Sequence, residues 1–154
     1  MCGYYFSNID QLEHTDNLKR RGPDSWNEIE IKDLGYFGCA RLTTMGDVTE
    51  QPVVTKWQNN TKGVLLYNGS CYNDEIKGND TQWISDQLSA QNYSDFVPWI
   101  RDLEGEYSLL WATPNQIFFG TDIFGMRPLY YYYDDRGVSV ASLADCIKSK
   151  HKVF

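Results

Sequence analysis

Aromatic and polar residues alternate from the start of the chain, and Cys2 to Ser7 reads as a strand with two distinct faces. Asn8 to Lys19 turns to polar spacing with capping residues, which predicts a short helix. Arg20-Arg21-Gly22-Pro23-Asp24-Ser25 gathers turn-forming residues; beyond it Glu28 to Lys32 and Tyr36 to Arg41 predict two strands joined near Asp33-Leu34-Gly35. A short buried strand is expected over Val64 to Tyr67, ending at Asn68-Gly69. Between Asp80 and Leu103 the apolar spacing becomes helical, with Trp83, Ile84, Leu88, Phe96, Val97, Ile100 and Leu103 as inward candidates, and two short helices fit. From Gly105 strands return as hairpins: Tyr107 to Ala112 with Ile117 to Thr121, then Leu129 to Tyr133 with Val138 to Ser142. A final short helix is expected over Leu143 to Lys148.

Strands, then helices, then strands again imply helices segregated from largely antiparallel sheets, an α+β fold. With 154 residues and no internal repeat or linker, one domain over residues 1–154 is the expectation. Tyr130 to Tyr133 could offer an aromatic platform to single-stranded nucleic acid, but at strand spacing their rings should divide between core and surface.

Charge narrows the function classes. The net charge is -7, and the 14 Lys and Arg residues form no run longer than Lys19-Arg20-Arg21, so neither nucleic acid nor an anionic membrane surface is an expected partner. No apolar run approaches the roughly 20 residues of a membrane span, and Met1-Cys2-Gly3 leads into a strand without the features of a signal peptide. The cytoplasm is the expected compartment.

Cys2, Cys39, Cys71 and Cys146 are widely separated and contain no C-x-x-C pair, so no metal site is expected. Cys39, Cys71 and Cys146 read as small thiols in a reducing compartment. His14 and His151 are poorly situated to activate a thiol. Cys2 has another route. Once Met1 is removed, its own α-amine can accept the thiol proton; the two groups ordinarily titrate near about 7.7 to 8.0 and about 8.5, so the transfer is not steep.

Met1-Cys2-Gly3, Arg21-Gly22-Pro23-Asp24-Ser25, Arg41-Leu42, Gln51-Pro52, Tyr67-Asn68-Gly69, Tyr72-Asn73 and Asn79-Asp80 together resemble class II glutamine amidotransferases, most closely the glutaminase domain of asparagine synthetase B. Leu103-Glu104-Gly105-Glu106-Tyr107-Ser108, Thr121 to Tyr131 and Val140-Ala141-Ser142 resemble the same family's closing hairpins. The resemblance implies an N-terminal-nucleophile αββα sandwich that hydrolyses the side-chain amide of L-glutamine without a cofactor. Cys2 then corresponds to the nucleophile, which forms a γ-glutamyl thioester. Asn68 and Gly69 correspond to the oxyanion hole, Arg41 to the partner of the substrate α-carboxylate, and Asp80 to that of its α-ammonium. Thr44 and Met45 would add backbone contacts. Apart from the resemblance, Asn68-Gly69 reads as a hairpin turn, Arg41 as a strand-end arginine and Asp80 as a helix N-cap.

Two departures matter. Ser70 stands where asparagine synthetases present a glutamate to the substrate amine, leaving Asp80 as the main counter-charge. No Gly-rich phosphate loop of a synthetase domain follows Ser142, so a separate ATP-dependent synthetase receives the ammonia, the protein acts alone, or the sequence is a piece of a longer protein. The alternatives are a catalytically impaired glutamine-binding or regulatory module, and an amidohydrolase acting on another γ-glutamyl compound.

Overall fold

The structure is a computed structural model, describing residues 2–42, 48–56, 62–90 and 93–147, the side chains of 93–96 excepted. Its elements in chain order are β1 (Gly3–Ser7), α1 (Asp16–Arg21), β2 (Ser25–Ile31), β3 (Gly35–Arg41), β4 (Val53–Lys56), β5 (Lys62–Cys71), α2 (Asp80–Ala90), α3 (Tyr93–Arg101), β6 (Gly105–Thr113), β7 (Gln116–Thr121), β8 (Tyr130–Asp134) and β9 (Gly137–Ala141). They build two antiparallel sheets, one ordered β2-β3-β1-β9-β8 and the other β4-β5-β6-β7.

Three apolar clusters show how the sheets stack. Tyr4, Phe6, Phe37, Cys39 and Val140 of the five-stranded sheet meet Val64, Leu66, Leu110 and Ala112 of the four-stranded sheet. On the far side of the second sheet, Leu65, Tyr67, Leu109 and Trp111 pack under Ile84 and Leu88 of α2. On the far side of the first, Tyr5 and Ala141 meet Leu18 of α1 and Cys146. The result is a helix, sheet, sheet, helix arrangement of α+β class. Strands covered on both faces lose the half-polar pattern, which is why every residue of β1 is buried.

Several local expectations change. The helix expected over Asn8 to Lys19 is confined to Asp16–Arg21. The Ser7 hydroxyl accepts from the amides of Ile9 (3.2 Å) and Asp10 (3.3 Å), a local turn that competes with helix formation. Asn8 pairs instead with Val138 through both its backbone N–H and its side-chain oxygen, and His14 takes a positive φ of 60° just before the helix begins. The strand expected to stop at Tyr67 continues to Cys71, with Asn68 opposite Ser108 and Gly69 opposite Tyr107. Asn68-Gly69 is therefore the middle of a ladder and not a hairpin turn. The edge strand β4 was not anticipated, and the closing helix is a single 3-10 turn at Ala144–Cys146; Lys148 lies outside the described residues.

The tyrosine run divides as expected. Tyr131 packs against the inter-sheet core, Tyr130 and Tyr132 against the outer cluster, and Tyr133 is 66% exposed. Among the described residues no helix is long and apolar enough to cross a membrane.

Burial leaves a signature in titration. Desolvation, with the neighbouring Asp145 carboxylate, pushes the Cys146 thiol from 9.0 up to about 11; burial likewise raises Cys39 and the phenols of Tyr4 and Tyr67. These groups stay neutral in the fold and ionise more readily once unfolded. From the unfolded thiol value upward the unfolded chain therefore binds fewer protons, and stability falls as pH rises. Urea midpoints should decline between about pH 8 and about pH 11, and Cys146→Ala should flatten part of that decline. A constant midpoint across that range would contradict this burial.

Candidate active site

Alternation along the strands sets four of the expected residues, Cys2, Arg41, Asn68 and Ser70, on the rows that fill the core. On β3, Phe37 and Cys39 point between the sheets, and the next residue of that row is Arg41. On β5 the row of Val64 and Leu66 continues to Asn68 and Ser70. Cys2 precedes Tyr4 by two positions and extends the corresponding row of β1. The period that fills the core with apolar rings thus ends, on three strands, in a thiol, a guanidinium and an amide.

Cys2 is half-buried and held at the exit of β3: its Sγ accepts from the Leu42 amide at 3.4 Å and donates to the Leu42 carbonyl at 3.6 Å. Arg21, at the end of α1, donates to the Ser142 carbonyl at 3.0 Å. Burial, followed by the nearby Arg127 guanidinium, pulls Arg21 below its ordinary pKa, and the Cys2 sulfur acts in the opposite direction. Cys2 and Arg127 therefore each lie within electrostatic reach of Arg21.

Arg41 is mostly buried and donates through Nη2 to Glu50 Oε1 at 3.0 Å. Its Nε and Nη1 are buried with no partner among the described residues. Glu50 is held by Asn27, whose side-chain amide reaches its other oxygen at 2.6 Å and the Gln51 carbonyl at 3.1 Å. The β4–β5 ladder reaches only to Val53 opposite Leu65, and beyond it the Gln51 side-chain oxygen accepts from the Tyr67 amide at 2.7 Å. That bond anchors β5 one residue before Asn68. Gln51 carries a structural role that the Gln51-Pro52 dipeptide alone does not reveal.

Asn68 is 3% exposed, and its side-chain nitrogen has no partner among the described residues. An orphaned buried donor costs about 1–3 kcal/mol, which marks it as poised for an acceptor not supplied by these residues. Gly69 lies against β6 so closely that a Cβ would stand 2.2 Å from the Glu106 carbonyl oxygen and 2.6 Å from the Tyr107 Cα.

Asp80 faces elsewhere. Its carboxylate accepts from the Tyr67 hydroxyl (3.3 Å), the Cys71 amide (3.2 Å) and the Thr81 amide (2.8 Å), tying the start of α2 to the end of β5. The cap of α2 is Asn79, whose side-chain oxygen accepts from Gln82 N at 3.0 Å. Ser70 lies at the end of the inward row, opposite Glu106. Thr44 and Met45 lie outside the described residues.

The loop after β7 is organised by buried Asp122, which accepts from the amides of Tyr107, Phe124 and Met126 at 3.1, 2.9 and 3.1 Å. One turn further, Arg127 pairs with Glu106 at 2.7 Å. A separate apolar groove of about 510 Å³ opens between α3 and β7, lined by Ile100, Leu103, Tyr107, Phe118 and Phe124, and Cys2 is not in its wall. Among the described residues no three His, Cys, Asp or Glu side chains gather as a metal cage.

The chain belongs to the glutamine amidotransferase domain family, whose model matches residues 2–154. It is 31% identical to asparagine synthetase domain-containing protein 1 of Homo sapiens, over 90% of this chain and 24% of that protein. A probable glutamine-hydrolyzing asparagine synthetase of Acanthamoeba polyphaga mimivirus is 27% identical over 93% of this chain and 28% of that protein. The chain spans about a quarter of the length of these relatives. In fold it matches glutamine phosphoribosylpyrophosphate amidotransferase from B. subtilis at TM-score 0.70 and 15% identity, covering 100% of this chain and 44% of that one. The expected N-terminal-nucleophile amidotransferase sandwich is the fold observed.

Because β5 and β6 touch at Gly69, Gly69→Ala should force the strands apart and destabilise the protein by about 1–3 kcal/mol, read as a lowered urea midpoint. An unchanged midpoint would contradict that close approach.

Proposed function

We propose that this chain hydrolyses the side-chain amide of L-glutamine to glutamate and ammonia through a γ-glutamyl thioester on Cys2. Family membership supports glutamine hydrolysis in general. The observation that carries the finer reading is the single inward-facing end shared by the rows of Cys2, Arg41 and Asn68.

In this mechanism Met1 has been removed, and the α-amine of Cys2 accepts the thiol proton as Sγ attacks the amide carbon. The carbonyl oxygen becomes an oxyanion, and the unpartnered Asn68 side-chain N–H, with the Gly69 backbone N–H, stabilises it. On collapse the C–N bond breaks and the departing nitrogen takes the proton from the α-amine, leaving as ammonia. Water then adds to the thioester carbon, the same amine accepts its proton, and the C–S bond breaks to release glutamate and restore the thiol.

Arg41 holds the substrate α-carboxylate through the donors that Glu50 does not occupy. The Ser70 hydroxyl and backbone groups at Thr44 and Met45 complete the grip at the α-ammonium end, with Asp80, occupied by its own hydrogen bonds, as a secondary counter-charge. The ammonia passes to an ATP-dependent synthetase active site, a role in keeping with the asparagine synthetase names of the relatives.

A second reading is a glutamine-binding or regulatory module. It is favoured by the carboxylate already seated on Arg41 and by Ser70 in place of an acid. A third enzyme reading keeps the thioester but takes another γ-glutamyl compound.

Ammonia release measured over glutamine, asparagine and γ-glutamyl peptides separates the three. The expected result is glutamine turnover that Cys2→Ala abolishes with unchanged circular dichroism, and that Asn68→Ala lowers by about 10²- to 10³-fold in kcat. Full activity in Cys2→Ala would sink the proposal. Glutamine binding without turnover in the wild-type protein would move it to the regulatory reading.

A further inference from the structure

We infer that Glu106, aligned by Arg127, is the counter-charge for the substrate α-ammonium on the inward face where Ser70 leaves none; this rests on the glutamine reading of the site. The register of β5 and β6 carries the argument. Leu66 lies opposite Leu110, Asn68 opposite Ser108 and Ser70 opposite Glu106, so one pair of inward rows passes from apolar to polar to charged toward the Cys2 end. Side chains directly opposite on antiparallel strands have Cβ atoms about 4.5–5.5 Å apart, which sets the Glu106 side chain beside the Ser70 hydroxyl.

Across the sandwich, the Tyr4 hydroxyl lies toward Ser108 without closing a hydrogen bond to it. Tyr4 is two residues from Cys2, and Ser108 two residues from Glu106, so Cys2 and Glu106 each lie one step along their row from that meeting point. Arg127, the ion-pair partner of Glu106, is within electrostatic reach of Arg21, which also senses Cys2.

Asp80 is less available for this task. Its oxygens already accept from Cys71, Thr81 and Tyr67, and Tyr67 packs in the cluster under α2, away from the inter-sheet row. Arg127 engages Glu106 through a single nitrogen and a single oxygen, at 2.7 Å with side chains 21% and 30% exposed. That contact fixes the carboxylate and leaves its second oxygen for an incoming ammonium. Without Glu106, Arg127 would lose its ion-pair partner, and with Glu50 already seated on Arg41 the described inward rows would offer an ammonium no open carboxylate.

The test uses glutamine and glutaramate, the same amide lacking the α-amine. Each is titrated for protection of Cys2 against iodoacetamide, read at the Cys2 peptide by mass spectrometry, in the wild-type chain, in E106Q and in E106Q with S70E. Wild type should bind glutamine more tightly than glutaramate. E106Q should weaken glutamine by about 10-fold or more and glutaramate by less than about 2-fold, and S70E should restore the preference for glutamine. Equal weakening of both compounds, no weakening, or failure of S70E to restore the preference would overturn the assignment. So would equal wild-type affinities, an arm that requires no variant to fold. Protection of wild-type Cys2 by glutamine without ammonia release would sink the hydrolase reading alone, and the Glu106 result would stand on the binding data. No protection of wild-type Cys2 by glutamine would overturn both.

Discussion

Two antiparallel sheets packed face to face must each present an apolar face inward, and the period of 2 along a strand decides which side chains form it. In this protein that constraint builds the core and the candidate site together. Tyr4, Phe37, Leu66 and Leu110 fill the space between the sheets, and the same rows end in Cys2, Arg41, Asn68 and Glu106. A register slip of one residue would turn the apolar set outward and carry the thiol, guanidinium and amide with it. The devices that pin the register therefore matter to function: the long β5–β6 ladder, the close approach at Gly69, and the Gln51 side chain bound to the Tyr67 amide.

The polar end is arranged at a cost. The Asn68 nitrogen, the Tyr4 and Ser108 hydroxyls and two donors of Arg41 are buried without partners among the described residues. Each is of a kind that folding alone would select against. Arg41 and Asn68 lie toward the ends of inward rows, where the proposed reading gives their unpartnered donors a carboxylate and a carbonyl oxygen. Charge follows the same division, with Arg41 on Glu50, Arg127 on Glu106 and Arg21 near the thiol.

Much of this was legible in the sequence, because alternation and turn residues report local preference. The α+β order, the two closing hairpins and the paired helices all followed from period and punctuation. The failures have physical causes. The helix expected over Asn8 to Lys19 gave way to the Ser7 hydroxyl and to pairing of Asn8 with Val138, an attachment 130 residues away. The short edge strand Val53–Lys56 owes its pairing to β5 more than to its own pattern. Asn68-Gly69, a strong turn signal in isolation, is held inside a ladder by β6. Cys2 stood out by its place after Met1, the other residues singled out for chemistry came from family resemblance, and Glu106 became visible only when the register set it opposite Ser70.

The central claim is that Cys2, with a free α-amine, carries the acyl group. Intact-mass analysis of protein quenched in acid during incubation with glutamine tests it most directly. The account predicts a chain lacking Met1 that gains one glutamyl group, removable by hydroxylamine and mapping to the peptide that begins at Cys2. Ammonia release by protein that retains Met1, or a glutamyl group on Cys39, Cys71 or Cys146, would contradict it.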